Sequence, residues 1–301
     1  MTLTVTLSLS KGDLMNLAIF AGAGELPAIA VKNARARGLD FVLYHITEAE
    51  LDASLTRDPA LKLRTISLGA IGKTFVYLKE DKITDIVLLG KIEKQRLLQD
   101  VQRDAAADKI YDAATDRRDD TLFLEFAKGI ALMGIGILKQ KDLLEGCFLT
   151  PGVHTQKQPE GEKLLADIEF GYALSKKVGS LDIGQTAIVY EKMILAVEAI
   201  EGTDAAIARA GAILSGGGSR KDAPRAQREP DASMRTGVVC KTGKASQDPR
   251  FDLPAVGIRT LETMAASGMQ ALVIEAAQTL VVNPQAFIRR ADELGLIVLA
   301  K

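Results

Sequence analysis

The sequence predicts an α/β protein: an N-terminal Rossmann-like domain with a parallel sheet, then a C-terminal α/β domain with a mixed sheet. Three observations carry this reading. Residues 16–20 form a short apolar strand that runs into a glycine turn and then a helical pattern, as nucleotide-binding α/β units begin. Short apolar runs recur between amphipathic stretches in both halves, as buried strands alternate with helices. In the second half, residues 186–190 and 193–199 flank a tight turn and predict a β-hairpin. At 301 residues the chain exceeds one ordinary core, so two domains are expected, residues 15–146 and 160–301.

Composition narrows the function. Net charge is −1, which argues against nucleic acid as the main partner. The two histidines, His45 and His154, supply a zinc site or a Ser/His triad poorly. Cys147 and Cys240 lie far apart without metal-type spacing, as reduced buried thiols of a cytoplasmic protein do. No apolar run approaches the roughly 20 residues that a membrane-spanning helix needs. Residues 1–14 do not resemble a cleavable signal and are read as an extension before Met15.

In the first domain, the turn GAGELP (residues 22–27) offers Gly22, Gly24 and Glu25 to a nucleotide or sugar head group, and Pro27 suits a first helical turn. A turn serving only chain reversal fits the same residues. Residues 41–44 form the second strand. No acid stands at its tip to hold a ribose, and His45 reads as a polar strand end. A helix is expected to about residue 80, then a strand over 85–89 that ends at Gly90-Lys91. Lys91 stands where α/β sheets bind ligands, and equally where a surface lysine precedes a helix starting near Glu93. Asp119 and Asp120 occupy capping positions before the stripe Leu122, Phe123, Phe126, Ile130. That stripe suits a helix core, or, with residues 130–133, a groove for acyl chains. Residues 135–138 are read as the last strand, and 148–160 as a linker.

The second domain opens with a helix over 161–178. After the hairpin come Glu198 and Glu201, which face opposite ways on a continuing strand but meet if the chain turns at Gly202. Thr203 is the expected N-cap of a helix to residue 214. Residues 215–233 are rich in Gly, Arg and Lys and read as a long loop; Arg220, Lys221, Arg225 and Arg228 could grip a phosphate or an anionic lipid surface. Beyond residues 237–240, a strand, the stretch KTGKASQDPRFDLPAVG (241–257) gathers Lys241, Lys244, Arg250, Asp248 and Asp252. Lysines match phosphate oxygens, while carboxylates hold a hard divalent metal or position water. The plain alternative is a solvated loop whose charges pair with one another. A helix over 260–267, a strand over 271–275 ending in Glu275, a strand over 280–283 and a helix over 284–294 complete the chain.

These motifs resemble a known family, the UDP-2,3-diacylglucosamine pyrophosphatases of bacteria such as Caulobacter. The likeness runs from about residue 16 to the C-terminus, through GAGELP, Gly90-Lys91, Asp119-Asp120, DIGQT (182–186), AVEAIEGTD (196–204), QDPRFDLPAVG (247–257) and residues 275–280. The chain departs from the family pattern in a longer loop at 216–233, and at Ala277 and Gln278, where glycine and a basic residue are expected. The resemblance implies hydrolysis of UDP-2,3-diacylglucosamine to UMP and 2,3-diacylglucosamine 1-phosphate (lipid X) in lipid A biosynthesis. It also implies Mg²⁺ or Mn²⁺ dependence, a homodimer, and a glycolipid held between two domains.

The expected roles follow. Asp252 and Asp248, with Glu201 or Glu275, would hold the metal and activate water; Lys241 and Lys244 would neutralise the phosphoryl oxygens. Gly22, Gly24, Glu25, Lys91, Gln185, Glu198, Thr203, Arg250 and Glu275 are expected to contact substrate. Peripheral contact with the inner membrane follows from a lipid substrate without a visible anchor. The competing readings are a nicotinamide-dependent (NAD) oxidoreductase and a non-catalytic nucleotide-sugar binding protein.

Overall fold

The structure is a computed structural model, which describes residues 15–91, 102–114, 119–215, 236–244 and 247–301. The extension 1–14, the start of the helix expected near Glu93, and Arg220, Lys221, Arg225 and Arg228 lie outside the described residues. The chain divides into two compact units, Met1–Leu144 and Glu145–Lys301. Each has its own sheet.

In the first unit the strands are β1 (Asn16–Ala21), β2 (Asp40–Ile46), β3 (Leu63–Ile66), β4 (Asp85–Leu89) and β5 (Gly136–Ile137). They pair in the order β3-β2-β1-β4-β5, all parallel. Helices α1 (Leu26–Ala36), α2 (Ala53–Thr56), α3 (Ile71–Glu80), α4 (Ala105–Ala113) and α5 (Asp119–Leu132) accompany them. Parallel strands are covered on both faces, and β1 accordingly buries Leu17 through Ala21 without alternation. Phe126 of α5 is buried against Phe20 and Phe75, at ring distances of 6.0 and 6.1 Å, and Ile130 is fully buried. Both are core, so the acyl-groove reading of this stripe does not extend to them.

The second unit contains β6 (Gly152–Val153), α6 (Glu162–Ser180), β7 (Thr186–Tyr190), β8 (Met193–Val197), α7 (Thr203–Leu214), β9 (Gly237–Lys241), β10 (Ala255–Val256), α8 (Ile258–Ala266), β11 (Met269–Ile274), β12 (Leu280–Val281), α9 (Pro284–Glu293) and β13 (Ile297–Ala300). Six strands form a mixed sheet, β6-β13-β11-β9-β7-β8. β9, β11 and β13 run parallel, while β6, β7 and β8 join antiparallel. β10 and β12 form a separate parallel pair.

Strand periodicity sorts the core into two layers. Val238 and Cys240 of β9 pack with Ile168 of α6. Val239 packs on the other face with Ala206, Ile207 and Ala210 of α7, Leu261 and Met264 of α8, and Phe287 of α9. Lys241 shares the parity of Val239 and is therefore delivered toward the α7 side of the sheet.

Three expectations change. The stretch read as a linker is built into the second unit: Val153 pairs with Leu299, and the Val298 amide donates to the buried Thr155 hydroxyl at 3.0 Å. The chain does not end on a helix, because β13 adds a strand between β11 and β6. Thr203 is not the N-cap; Gly202 is, at φ +84°, and Thr203 is the first helical residue with its hydroxyl committed elsewhere.

Candidate active site

The parallel strands β9 and β11 end at the same edge of the six-stranded sheet, where open α/β sheets bind ligands. β9 ends in Lys241 and β11 runs into Glu275. Because β7 is antiparallel to β9, its first residue, Thr186, pairs with Lys241 and brings Gln185 to this edge. β8 pairs with β7 and delivers Glu198 beside it, through a 2.9 Å bond from the Glu198 amide to the Thr186 carbonyl.

Lys241 is 7% exposed and carries the centre of this edge. Its Nζ donates to the Thr203 hydroxyl at 2.8 Å and to the Ala255 carbonyl at 2.9 Å. Thr203 in turn donates to Glu198 Oε1 at 2.9 Å. Burial lowers the pKa of the Lys241 ammonium; Glu198, Asp204 and Asp252 oppose that by favouring its charge. The other carboxylate oxygen, Glu198 Oε2, is buried with no hydrogen-bond partner, as are the hydroxyls of Thr242 and Thr279. Thr242 follows Lys241 and Thr279 lies four residues beyond Glu275, so all three orphaned oxygens belong to the segments that bound this edge. Buried polar atoms without partners are expected where a ligand or ordered water completes the structure.

The loop after β9 is held by a chain of polar contacts. Lys176 of α6 pairs with Glu275 Oε1, and Glu275 Oε2 accepts from the Gly243 amide at 3.1 Å. The Thr242 amide donates to the Gln185 carbonyl at 3.0 Å. Gln185 therefore reaches the site through its backbone, and Glu275 anchors the loop. Lys244 Nζ donates to Asp182 at 2.8 Å, with the lysine side chain 23% exposed. Asp252 Oδ2 accepts from the Gln247 amide at 2.7 Å.

Two predicted acids are turned away. Asp248 grips Arg250, with contacts of 2.6 to 3.0 Å that include the Arg250 backbone amide, and this pairing raises the Arg250 pKa. Glu201 accepts from Arg209 at 2.6 Å and from the Ala199 amide at 3.2 Å. Its pKa is lowered, first by backbone hydrogen bonding and then by Arg209. Among the described residues no three His, Cys, Asp or Glu side chains gather as metal ligands. The set Asp252, Asp248 and Glu201 is thus not assembled for Mg²⁺ or Mn²⁺, because two of the three neutralise arginines.

The other predicted residues belong to the first unit. The Gly22 amide donates to the Leu89 carbonyl at 2.7 Å, and Ala23 and Lys91 exchange two backbone bonds of 2.8 Å. A Cβ at Gly90, whose φ is +87°, would lie 2.7 Å from the Gly22 carbonyl. Gly22 and Gly90 are glycines because two backbones touch there. Gly24 has φ +98° and Glu25 caps α1 without a side-chain bond. His45 and His154 each direct Nε2 at a backbone carbonyl, of Ala49 at 3.0 Å and Thr150 at 2.8 Å. Cys147 and Cys240 are buried free thiols, both with pKa raised by burial.

Sequence reasoning left Gln247, Asp182 and Lys176 without roles. Gln247 and Asp182 were visible inside the family motifs; Lys176 carries no sequence signal beyond its place on α6.

Comparison with known proteins agrees with the motifs. The chain is 32% identical over 286 residues to the UDP-2,3-diacylglucosamine pyrophosphatase LpxI of Caulobacter vibrioides, spanning 94% of this chain and 96% of that protein. Among solved structures, the UDP-glucose 4-epimerase of Thermus thermophilus in complex with NAD aligns over 92% of this chain and 93% of its own. Its identity is 12% and its TM-score 0.29, too low to bear on fold or chemistry. Residues 16–147 match the LpxI N-terminal domain and residues 150–299 the LpxI C-terminal domain, and the chain belongs to the LpxI family.

Proposed function

We propose that this protein hydrolyses the diphosphate bridge of UDP-2,3-diacylglucosamine, a step of lipid A biosynthesis. The substrate follows from the relative named for it. Within this chain, the observation that carries the chemistry is Lys241, a buried ammonium at the carboxyl edge of the sheet beside an unpartnered carboxylate oxygen. Burying a charge is costly unless the site uses it, and a diphosphate is the complementary anion.

Water adds to one phosphorus, and the bond from that phosphorus to the bridging oxygen breaks. The electron pair leaves with the bridging oxygen. One product is UMP and the other 2,3-diacylglucosamine 1-phosphate. Lys241 offsets the charge that builds on the phosphoryl oxygens, and Lys244 joins it when the substrate draws it from Asp182. Asp252, the acid of its loop not paired to an arginine, orients the water and accepts its proton. Glu198 and Thr203 hold Lys241 in place.

The divalent ion expected from the family resemblance finds no assembled set of protein ligands among the described residues, and the proposal assigns it no step. Contact with a lipid surface, and a homodimer, belong to the same proposal; a lipid substrate and the family resemblance support them. Among the described residues no helix is long and apolar enough to cross a membrane. The test is incubation of purified protein with UDP-2,3-diacylglucosamine, with and without chelator. Release of UMP and the sugar 1-phosphate in equal amounts is expected. Substrate that binds and stays intact would overturn the reading in favour of a nucleotide-sugar binding protein.

A further inference from the structure

We propose that Gln247 is a positioning residue that fixes Asp252 by holding Oδ2, so that Oδ1 is the oxygen presented to the reacting water. The inference rests on the hydrolytic reading above and adds to it a residue with no role in that reading.

The amide of Gln247 is oriented by the chain itself. Its Oε1 accepts from the Lys244 backbone amide at 3.0 Å, and its own backbone amide donates to the Lys244 carbonyl at 3.2 Å. With the carbonyl end of the side chain engaged by a donor, the NH₂ end must point away, and it donates to Asp252 Oδ2 at 2.7 Å. The bond completes a path that starts on regular structure. Lys176 on α6 holds Glu275, Glu275 holds the Gly243 amide, the next residue holds Gln247, and Gln247 holds Asp252. Asp252 is therefore placed from α6 and the end of β11, although it lies in a loop. From the other side, the Asp252 backbone amide donates to the Asp248 carbonyl at 3.1 Å. Side chain and backbone of Asp252 are each held by one contact, and no second partner of its carboxylate is found among the described residues.

Among the described residues, Lys241 at the end of β9 is the cation whose charge Asp252 favours. Glu198 at the end of β8 and Asp204 on α7 act on that same lysine. Within its own loop, Asp248 and Arg250 are paired and Lys244 is turned to Asp182. Gln247 is the neutral donor of this set, and Glu275 lies near its carbonyl end, Glu275 Oε2 and Gln247 Oε1 each standing 3.7 Å from the place a Cβ at Gly243 would take. In Gln247→Glu, two carboxylates meet at hydrogen-bond distance and must share a proton.

The pH dependence of kcat and KM, measured with UDP-2,3-diacylglucosamine, tests this. Gln247→Glu should move the acidic limb of the kcat profile upward by about one pH unit or more, with activity recovering at high pH and KM changed less than about threefold. Gln247→Ala should lower kcat across the profile without that displacement. The exchanged pair Gln247→Glu with Asp252→Asn rebuilds an amide–carboxylate bond; it should regain thermal stability while remaining inactive. A Gln247→Glu profile superimposable on wild type overturns the proposal, as does an active exchanged pair. If Gln247→Glu does not fold, an unchanged kcat in Gln247→Ala overturns it. Failure of the underlying reading looks different: wild type would release no UMP, or Asp252→Asn alone would turn over normally.

Discussion

The sharpest structural consequence of a buried Lys241 is its coupling to Glu198. Nothing in the packing at the end of β9 demands a lysine; the buried residue is tolerated because Thr203 links it to a carboxylate. Removing Glu198's charge by Glu198→Gln leaves the buried ammonium with less opposing charge and should cost roughly 2 kcal/mol. For a unit of this size that is a fall of about 4–8 °C in Tm. In a Lys241→Met background the same change should cost under about 1 kcal/mol, because the charge it served is gone. The two-variant cycle should then show a coupling of about 1 kcal/mol or more, read by urea unfolding. The pH dependence carries the same sign information. Burial holds the Lys241 pKa below its ordinary 10.5, so between those two values the folded chain has released a proton that the unfolded chain keeps. Stability of wild type relative to Lys241→Met should rise with pH through that window and be lowest beneath it. Additive variants, or a pH-independent difference between the two proteins, would refute the buried and coupled ammonium.

Further outcomes follow from the same geometry. Gly90→Ala must fit a Cβ 2.7 Å from the Gly22 carbonyl at φ +87°, and should lose roughly 3 kcal/mol in thermal or chemical melts. Ala277 sits at φ +55°, where a side chain is strained, so Ala277→Gly should be neutral or stabilising by up to about 1 kcal/mol. Mn²⁺ followed by electron paramagnetic resonance should bind the protein weakly alone and more tightly once a nucleoside diphosphate is added, because no three acids gather as metal ligands among the described residues.

Much of the architecture was legible in the sequence. The glycine turn after β1, the hairpin of β7 and β8, and the helices α6 and α9 all carry local signals that tertiary packing did not override. β13 was missed because Ile297–Ala300 is four residues long, at the end of the chain, with no turn after it. Residues 148–160 read as a linker because they are polar and proline-bearing, yet a two-residue strand and the Thr155 hydroxyl tie them to β13. The cations of the 241–257 stretch were legible as a group. Their separation was not: strand parity buries Lys241, while Lys244 pairs with Asp182. The metal set shows the same limit. Asp248 and Arg250 stand two apart in a turn, a spacing that favours their pairing with one another, and the plain reading of a self-paired loop holds for those two residues. Glu198 and Glu201 could not be told apart by spacing. The chain turns immediately after β8, which sends one to Thr203 and the other to Arg209. At Ala277 the glycine expected from the resemblance has a physical meaning in the backbone, since the position is left-handed.

The most direct measurement is turnover and binding in the same Asp252→Ala preparation. UDP-2,3-diacylglucosamine should still bind within about tenfold of wild type, while UMP release falls by roughly a thousandfold or more. Near-normal release of UMP from that variant would contradict the assignment of hydrolysis to this edge of the sheet.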